Sequence, residues 1–206
     1  MRVIAGEAKG RRLAAVPGTT TRPISDRVKE SLFNILSDRI EGASFLDLFA
    51  GTGSVGIEAL SRGARRVTFV EREERAIQVI KANLATTGLS DRARVVRQDV
   101  FKFLATAPEA RYDLIYVAPP QYQGLWAKTL HALDGRPWLA DDGLVIAQIY
   151  PKEYEELLLT QLAVYDQRKY GSTLLVFYAP IQKSPPRREE RGENADLQPA
   201  SAGLSF

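Results

Sequence analysis

The chain has 206 residues, of which 45% are hydrophobic and 26% charged, with a formal net charge of +3 at pH 7. This length suits one α/β domain, and no run approaches the roughly 20 apolar residues that span a bilayer, so we expect no membrane partner. The absence of cysteine, with His131 as the single histidine, argues against thiol nucleophiles, Ser-His catalysis and a metal site. Because the N-terminus also lacks the apolar core of a signal peptide, we expect a cytoplasmic protein.

The basic residues are concentrated at the front of the chain. Residues 1–30 contain seven cations and three anions, a balance of +4 that leaves −1 for the rest. The segments RVIA and RRLAAV, joined by GEAKG, predict a small β-hairpin, and residues 1–24 are expected to form a basic hairpin and linker. This asymmetry favours a polyanionic partner, although a short basic segment is about as often a solvated surface.

The segment from residue 25 to 180 is predicted to form the main domain. Apolar positions at helical spacing predict a helix from Asp26, capped by Ser25 or Asp26. Five β-rich runs then alternate with helices that start near residues 55, 73, 100 and 124; the runs are SFLDLFA, RVTFVE, ARVVRQD, YDLIYVA and GLVIAQIY. The alternation predicts a doubly wound, mostly parallel sheet with helices on both faces.

The C-terminal part of the chain breaks this alternation. The segment PKEYEELLLTQL predicts one more helix, and AVYDQRKY with TLLVFYAP predicts an antiparallel pair that closes the sheet edge. Residues 181–206 are rich in Pro, Glu, Ser and Gly and poor in apolar residues. We therefore expect a disordered tail there.

A glycine-rich loop follows the first strand of the main domain. In FLDLFAGTGSVGIEAL, Gly51, Gly53 and Gly56 have a GxGxxG spacing between a strand and a helix. Glycines there allow a tight turn and let a ligand lie against backbone N–H groups. Glu71 ends the next strand, where a carboxylate binds the hydroxyls of an adenosine ribose. A dinucleotide and S-adenosylmethionine both fit this pattern.

Two further carboxylates favour S-adenosylmethionine. Asp47, inside the first strand, suits a cationic methionine group and would repel a pyrophosphate. Asp99 ends the third strand, where it can accept a hydrogen bond from the adenine amino group. Any one of Asp47, Glu71 and Asp99 alone could simply end a strand at the surface. All three at successive strand ends predict a cofactor site.

Several motifs together resemble the RsmD family of bacterial 16S ribosomal RNA guanine-N2 methyltransferases. They are RVIAGEAKGRRL, TRPISDRVKESLFNIL, DLFAGTGSVGIEALSRGA, the strand ending VE, and the NL at Asn83 and Leu84. The resemblance covers about residues 1–180. It implies a Rossmann-like class I methyltransferase fold with a seven-stranded sheet, S-adenosylmethionine as methyl donor and a guanine of the small ribosomal subunit as acceptor. We expect a monomer.

The resemblance also implies roles for individual residues. The methionine end of the cofactor is expected at Asp47, Phe49, Gly51 and Gly53, the ribose at Glu71 and the adenine at Asp99 and Val100, with Arg72 as a further cofactor contact. RNA phosphates are expected to meet the basic residues Lys9, Arg11, Arg12, Arg22 and Arg27. Such contacts give affinity and register but no choice of sequence.

The fourth strand ends in APPQY, Ala118 to Tyr122. Enzymes that methylate an amino group on a base typically carry D-P-P-Y or N-P-P-Y there: the first side chain and a backbone carbonyl accept hydrogen bonds from the amine, and the ring stacks on the flipped base. Here Ala118 and Gln121 flank Pro119 and Pro120 in place of the polar and the aromatic residue. The candidate catalytic residues are therefore the five residues of this loop.

Three consequences of the altered loop are open. The Pro119 carbonyl and the Gln121 amide could supply the two acceptors while Tyr122 stacks on the base. Catalysis could persist without the missing side chain, at a cost of roughly 1 to 3 kcal/mol. The protein could also bind cofactor and RNA without transferring a methyl group. Methyl transfer to a guanine amino group is the favoured function; a non-catalytic RNA-binding protein in subunit assembly and, less favoured, a dinucleotide oxidoreductase are the rivals.

Overall fold

The structure is a computed structural model that describes residues 1–18 and 24–181. The predicted RNA contact Arg22 and the predicted tail beyond residue 181 lie outside the described residues. The helices are α1 (Asp26–Leu36), α2 (Ser54–Ser61), α3 (Glu74–Thr87), α4 (Val100–Ala105) and α5 (Leu125–Leu133). The strands are β1 (Ser44–Leu48), β2 (Arg66–Glu71), β3 (Ala93–Arg97), β4 (Tyr112–Val117), β5 (Leu139–Ile149), β6 (Leu162–Tyr170) and β7 (Thr173–Pro180).

The seven strands form one sheet in the order β3-β2-β1-β4-β5-β7-β6. The first five strands pair in parallel, whereas β7 runs antiparallel to both β5 and β6. The predicted fold class, a mostly parallel sheet closed by an antiparallel hairpin, is confirmed. Strand β5 begins at Leu139, four residues before the predicted run, because Tyr112 pairs with Leu139 before the register shifts.

Helices cover both faces of the sheet, as predicted. One face packs against α1, α2 and α3, and its core includes Phe45, Phe69, Leu114, Tyr116 and Leu175. The other face packs against α4 and α5, and its core contains Trp126 and Trp138, each 2% exposed. The two tryptophans therefore have the core role that the sequence favoured over base stacking. Helix α1 begins where predicted, because the Ser25 hydroxyl accepts a hydrogen bond from the Val28 amide.

The predicted helix over residues 151–162 is wrong. Only a single 3₁₀ turn forms, at Pro151–Glu153. The side chain of Asp134 accepts hydrogen bonds from the amides of residues 160, 161 and 162, which draws this backbone away from a helix. Leu157 and Leu159 pack on the core while Leu158 is 91% exposed. This alternation is that of an extended chain, so tertiary contacts override a helix-favouring composition.

The N-terminal residues dock on the main domain. An isolated antiparallel bridge joins Arg2 to Arg12, with backbone hydrogen bonds from Val3 to Arg11 and from Leu13 to Met1. The predicted hairpin thus forms as two antiparallel segments around a single bridge. Val3, Ala8 and Leu13 are buried in the same core as α1. None of the described helices is long and apolar enough to cross a bilayer.

Candidate active site

The glycine-rich loop leaves β1 at the centre of the sheet, between β2 and β4. Phe49, Gly51 and Gly53 all have left-handed backbone conformations, with φ of 59°, 55° and 72°. Gly53 also lies against the side chains of Ile80 and Phe69, at 3.3 Å from an added Cβ, and it is the residue before α2. A side chain here would meet both the positive φ and this close packing. The loop therefore folds into a tight turn in front of a helix N-terminus.

Asp47 lies beneath this loop and is 2% exposed. Its carboxylate accepts a hydrogen bond from the Gly56 amide at 3.0 Å, and within the described part of the chain no cation pairs with it. Burial, with a smaller contribution from the charge of Glu71, raises the pKa of Asp47 from 3.8 to about 8. The site thus has a buried carboxyl group that lacks a positive partner.

Glu71, the last residue of β2, folds back onto the loop. Its Oε2 accepts a hydrogen bond from the Gly51 amide at 2.9 Å, and its Oε1 accepts from the amides of Arg72 and Glu73. Oε2 retains a lone pair for a further donor. The Arg72 side chain points to solvent and pairs with Glu73 at 3.1 Å.

Asp99 is the N-cap of α4. Its Oδ1 accepts hydrogen bonds from the amides of Phe101 and Lys102, and its Oδ2 has no hydrogen-bond partner within the residues that the structure describes. Val100 is buried at the start of α4. Phe49 meets Phe101 edge to face, with ring centroids 6.4 Å apart. The structure therefore brings together the predicted cofactor residues at the carboxyl ends of β1, β2 and β3.

The APPQY loop lies at the end of β4, next to β1. Ala118 is half-buried, Pro119 is buried, and Pro120 and Gln121 are exposed. Tyr122 is 71% exposed and has a φ of 62°, which is unusual for a tyrosine. Its ring lies 5.5 Å from that of Tyr150, and its amide donates a hydrogen bond to Glu153. An exposed tyrosine pair therefore stands beside the loop.

The sequence analysis missed two residues near this loop. The hydroxyl of buried Tyr116 donates a hydrogen bond to Oε1 of half-buried Gln148, near the end of β5. Burial, together with the charge of Asp47, raises the pKa of Tyr116 well above its usual value, so the hydroxyl keeps its proton. The signal was the single polar residue in the apolar strand LVIAQI.

A buried ion network was also missed. Glu58 and Lys29 are both fully buried, with 3.2 Å between Oε2 and Nζ, and Arg62 donates to Glu58 Oε1 at 2.8 Å. The same carboxylate accepts from the amides of Ile4 and Ala5. Charged Glu58 inside the otherwise apolar helix α2 was the available signal. The network fixes the N-terminal segment to α2.

Gly6 shows how closely that segment approaches α2. It has a φ of 82°, and an added Cβ would lie 1.7 Å from the carbonyl oxygen of Ser61. The neighbouring amides of Glu7 and Ala8 donate to the Ser61 carbonyl and hydroxyl. This position accepts only glycine without a shift of the backbone, which gives a physical reason for the first glycine of the G-x-x-x-G-R motif.

Asn83 of α3 connects the N-terminal segment to the glycine-rich loop. Its amide group accepts from the Ala14 N–H at 2.8 Å and donates to the carbonyls of Ala14 and Thr52 at 3.2 and 3.0 Å. Thr52 also contacts the sulfur of Met1 at 3.6 Å. The N-terminal segment therefore borders the candidate cofactor loop.

The predicted RNA contacts that the structure describes are all on the surface. Lys9, Arg11, Arg12 and Arg27 are exposed, and their side chains form no ion pair within residues 1–18 and 24–181. Arg2, in contrast, pairs with Asp26 at 3.3 Å. No group of His, Cys, Asp and Glu among the described residues could hold a metal ion. His131 lies exposed on α5, away from the predicted chemistry.

The chain is similar to characterised and solved proteins along most of its length. Residues 1–179 match the family model described as "Conserved hypothetical protein 95". YlbH of Bacillus subtilis is 41% identical over 86% of this chain and 98% of its own. "Ribosomal RNA small subunit methyltransferase D" of Escherichia coli is 38% identical over 72% of this chain and 74% of its own.

A solved structure shares the fold. That of yhhF from Escherichia coli matches 87% of this chain and 97% of its own, with 35% identity and a TM-score of 0.76. The resemblance seen in the sequence is therefore confirmed. This chain belongs to the RsmD family of methyltransferases.

Proposed function

We propose that the protein transfers a methyl group from S-adenosylmethionine to the exocyclic N2 of a guanine in 16S rRNA, within the small ribosomal subunit. The proposal places it in the cytoplasm, acting as a monomer. Support comes from the named Escherichia coli relative and from the residues gathered at the carboxyl edge of the sheet.

One observation carries the proposal: Asp47 and Tyr116 are paired neighbours on β1 and β4. This pairing sets the glycine-rich loop beside the APPQY loop. In open α/β sheets, ligands bind outside the carboxyl ends of the strands, where the strand order reverses. In this sheet the order reverses between β1 and β4, so a cofactor and a base would meet there.

The residues present suit S-adenosylmethionine. Buried Asp47 lacks a cation, and a ligand with a positive charge would supply one. Glu71 Oε2 and Asp99 Oδ2 can each accept a further hydrogen bond, from a ribose hydroxyl and an adenine amino group. A dinucleotide would instead bring its pyrophosphate toward Asp47, which disfavours the oxidoreductase.

When bound, S-adenosylmethionine supplies a methyl carbon on a cationic sulfur, which an amine nitrogen takes as the S–C bond breaks toward sulfur and the nitrogen releases a proton. The task of this chain is to hold the amine in line and to exclude other geometries. The carbonyl of buried Pro119 is one acceptor for an N–H bond. The exposed Tyr122, in contact with Tyr150, provides a ring on which the base can stack.

The surface around residues 1–24 suits an RNA backbone. Lys9, Arg11 and Arg12 lie on the segment that Asn83 ties to the glycine-rich loop, so phosphates bound there would lie near the transfer site. We propose this segment as the RNA-contacting part and residues 25–180 as the transferase domain. Arginine and lysine contacts of this kind set register rather than sequence choice.

A second candidate is a protein that binds cofactor and RNA without transfer. Ala118 favours it, because the side chain cannot accept a hydrogen bond. The named relatives do not favour it.

The test is transfer of labelled methyl from S-adenosylmethionine to small subunits that lack the modification, followed by mapping of the labelled nucleotide. Label on a guanine N2 supports the proposal. Absence of label, with intact binding of S-adenosylhomocysteine and of subunits, would leave the binding protein. Binding of NAD in preference to S-adenosylhomocysteine would instead point to the oxidoreductase.

A further inference from the structure

The sheet register places Gln148 beside Ala118. The last paired residues of β4 and β5 are Val117 and Ala147, so Ala118 and Gln148 are the next positions along the two parallel strands. Side chains alternate between the faces of a sheet, and Tyr116 and Ala118 both pack on the core beneath α1. Gln148 pairs with Leu175, which belongs to that core as well. Ala118 and Gln148 therefore share one face.

Tyr116 fixes the amide of Gln148. The hydroxyl of this buried tyrosine donates to Gln148 Oε1, and the ring of Tyr116 stays in place because it is enclosed by the core. An amide oxygen has two lone pairs, so Oε1 can accept a second hydrogen bond while it holds the tyrosine hydroxyl. Gln148 is half-buried, which leaves it accessible from the carboxyl edge of the sheet.

Tyr150 continues the same side of β5. It follows Gln148 by two residues in an extended conformation, and its ring meets that of Tyr122. A base that stacks against this tyrosine pair would present its edge toward Gln148 and the Pro119 carbonyl. The site thus contains both a flat surface and two oxygen acceptors without a side chain from position 118.

We propose that Gln148, oriented by Tyr116, accepts a hydrogen bond from the exocyclic amine of the target base and so replaces the polar side chain absent at Ala118. This inference rests on the proposed function. It reassigns the acceptor role that the sequence offered to Gln121. Gln121 is exposed beyond both prolines and makes no hydrogen bond within the described residues, whereas Gln148 is held in place.

The test compares single-turnover methyl transfer to unmodified small subunits by the wild type and by Gln148→Leu, at saturating S-adenosylmethionine. Loss of one acceptor should lower the rate about 10- to 100-fold. Binding of S-adenosylhomocysteine and of subunits should stay within about twofold of the wild type. Gln167→Leu is the matched control, because Gln167 also bonds a tyrosine hydroxyl, that of Tyr154, but on the exposed edge strand β6.

Two more variants separate an acceptor from a structural role. Gln148→Glu keeps an oxygen acceptor and should retain most of the rate. Ala118→Asp added to Gln148→Leu should restore transfer at least about tenfold, since it returns an acceptor to the adjacent position. A Gln148 that only satisfied Tyr116 would not be rescued this way. The thermal midpoint of each variant shows whether it is folded.

Each outcome bears on the inference. A normal rate in Gln148→Leu, or a loss in Gln121→Ala without one in Gln148→Leu, overturns it while the proposed function stands. A lowered rate that Ala118→Asp does not rescue also overturns it. If the wild type transfers no methyl to any guanine, both the inference and the proposed function fail.

Discussion

The buried pair of Glu58 and Lys29 offers the sharpest test of how the N-terminal segment is held. Glu58→Gln keeps the shape and the hydrogen-bond acceptor for Ile4 and Ala5 but removes the charge. Lys29, fully buried, then has no anion at 3.2 Å, although its Nζ still donates to the Arg2 carbonyl at 2.7 Å. Breaking a buried ion pair from one side typically costs about 3 to 5 kcal/mol. We expect a loss of that size.

The assay is urea unfolding, with thermal unfolding as a second measure. For a chain of this size, a loss of about 3 to 5 kcal/mol lowers the midpoint by roughly 6 to 20 °C. Lys29→Met is the matched control: Glu58 keeps Arg62 and two amides, so we expect a smaller cost of about 1 to 2 kcal/mol. The double variant should be more stable than Glu58→Gln alone, because no unpaired cation remains.

The pH dependence of the Glu58→Gln variant provides a further check. Burial lowers the pKa of Lys29 below its usual 10.5, and Glu58 opposes that shift in the wild type. Without Glu58 the pKa falls further, so the unfolded state binds more protons than the folded state at neutral pH. The stability of the variant should therefore rise between pH 7 and pH 9.5. A Glu58→Gln variant within about 1 kcal/mol of the wild type, or one not improved by Lys29→Met, would refute the reasoning.

Three more predictions concern the cofactor loop and the RNA surface. Because the pKa of Asp47 is raised from 3.8 to about 8, the stability of the unliganded protein should fall as pH rises through this range, and Asp47→Asn should flatten the fall. Affinity for S-adenosylmethionine, measured by calorimetry, should increase from pH 6 to pH 8 in the wild type and less in Asp47→Asn; parallel profiles contradict this. Asn83→Leu leaves the Thr52 carbonyl unpaired and should weaken S-adenosylhomocysteine binding and expose the segment near Ala14 to proteases; unchanged cleavage would argue against the latch. Neutralising an RNA contact should reduce the salt dependence of subunit binding by about 0.7 per phosphate lost, whereas Lys169→Gln on β6 should leave it unchanged. The contacts to test are Lys9, Arg11, Arg12 and Arg27.

Local patterns predicted most of the fold correctly. The Ser25 cap and the apolar spacing of α1 act within a few residues, so the start of this helix could be read directly from the chain. The same holds for the five alternating runs, since their parallel arrangement follows from the lengths and handedness of the connections. The segment after Pro151 could not be predicted, because Asp134, some distance away in sequence, determines its conformation.

The candidate site divides in the same way. Asp47, Glu71 and Asp99 were identifiable because each follows from its own strand and from the rule that parallel strands end at one edge. Gln148 was not, because its relation to Ala118 depends on the register of two strands separated by a helix and a long connection. Asn83 and Glu58 likewise act on residues that are distant in the sequence but adjacent in space.

The sequence by itself therefore determined the class of fold, the family and the cofactor residues, since periodicity, turn glycines and strand-end carboxylates are local features. Only the tertiary structure decided which side chains meet across strands: the tyrosine and glutamine beside the altered loop, the buried ion pair, and the asparagine that joins the basic segment to the glycine-rich loop. The physical reason is that lateral pairing and burial depend on long-range packing, which a residue's own neighbours in the chain do not specify.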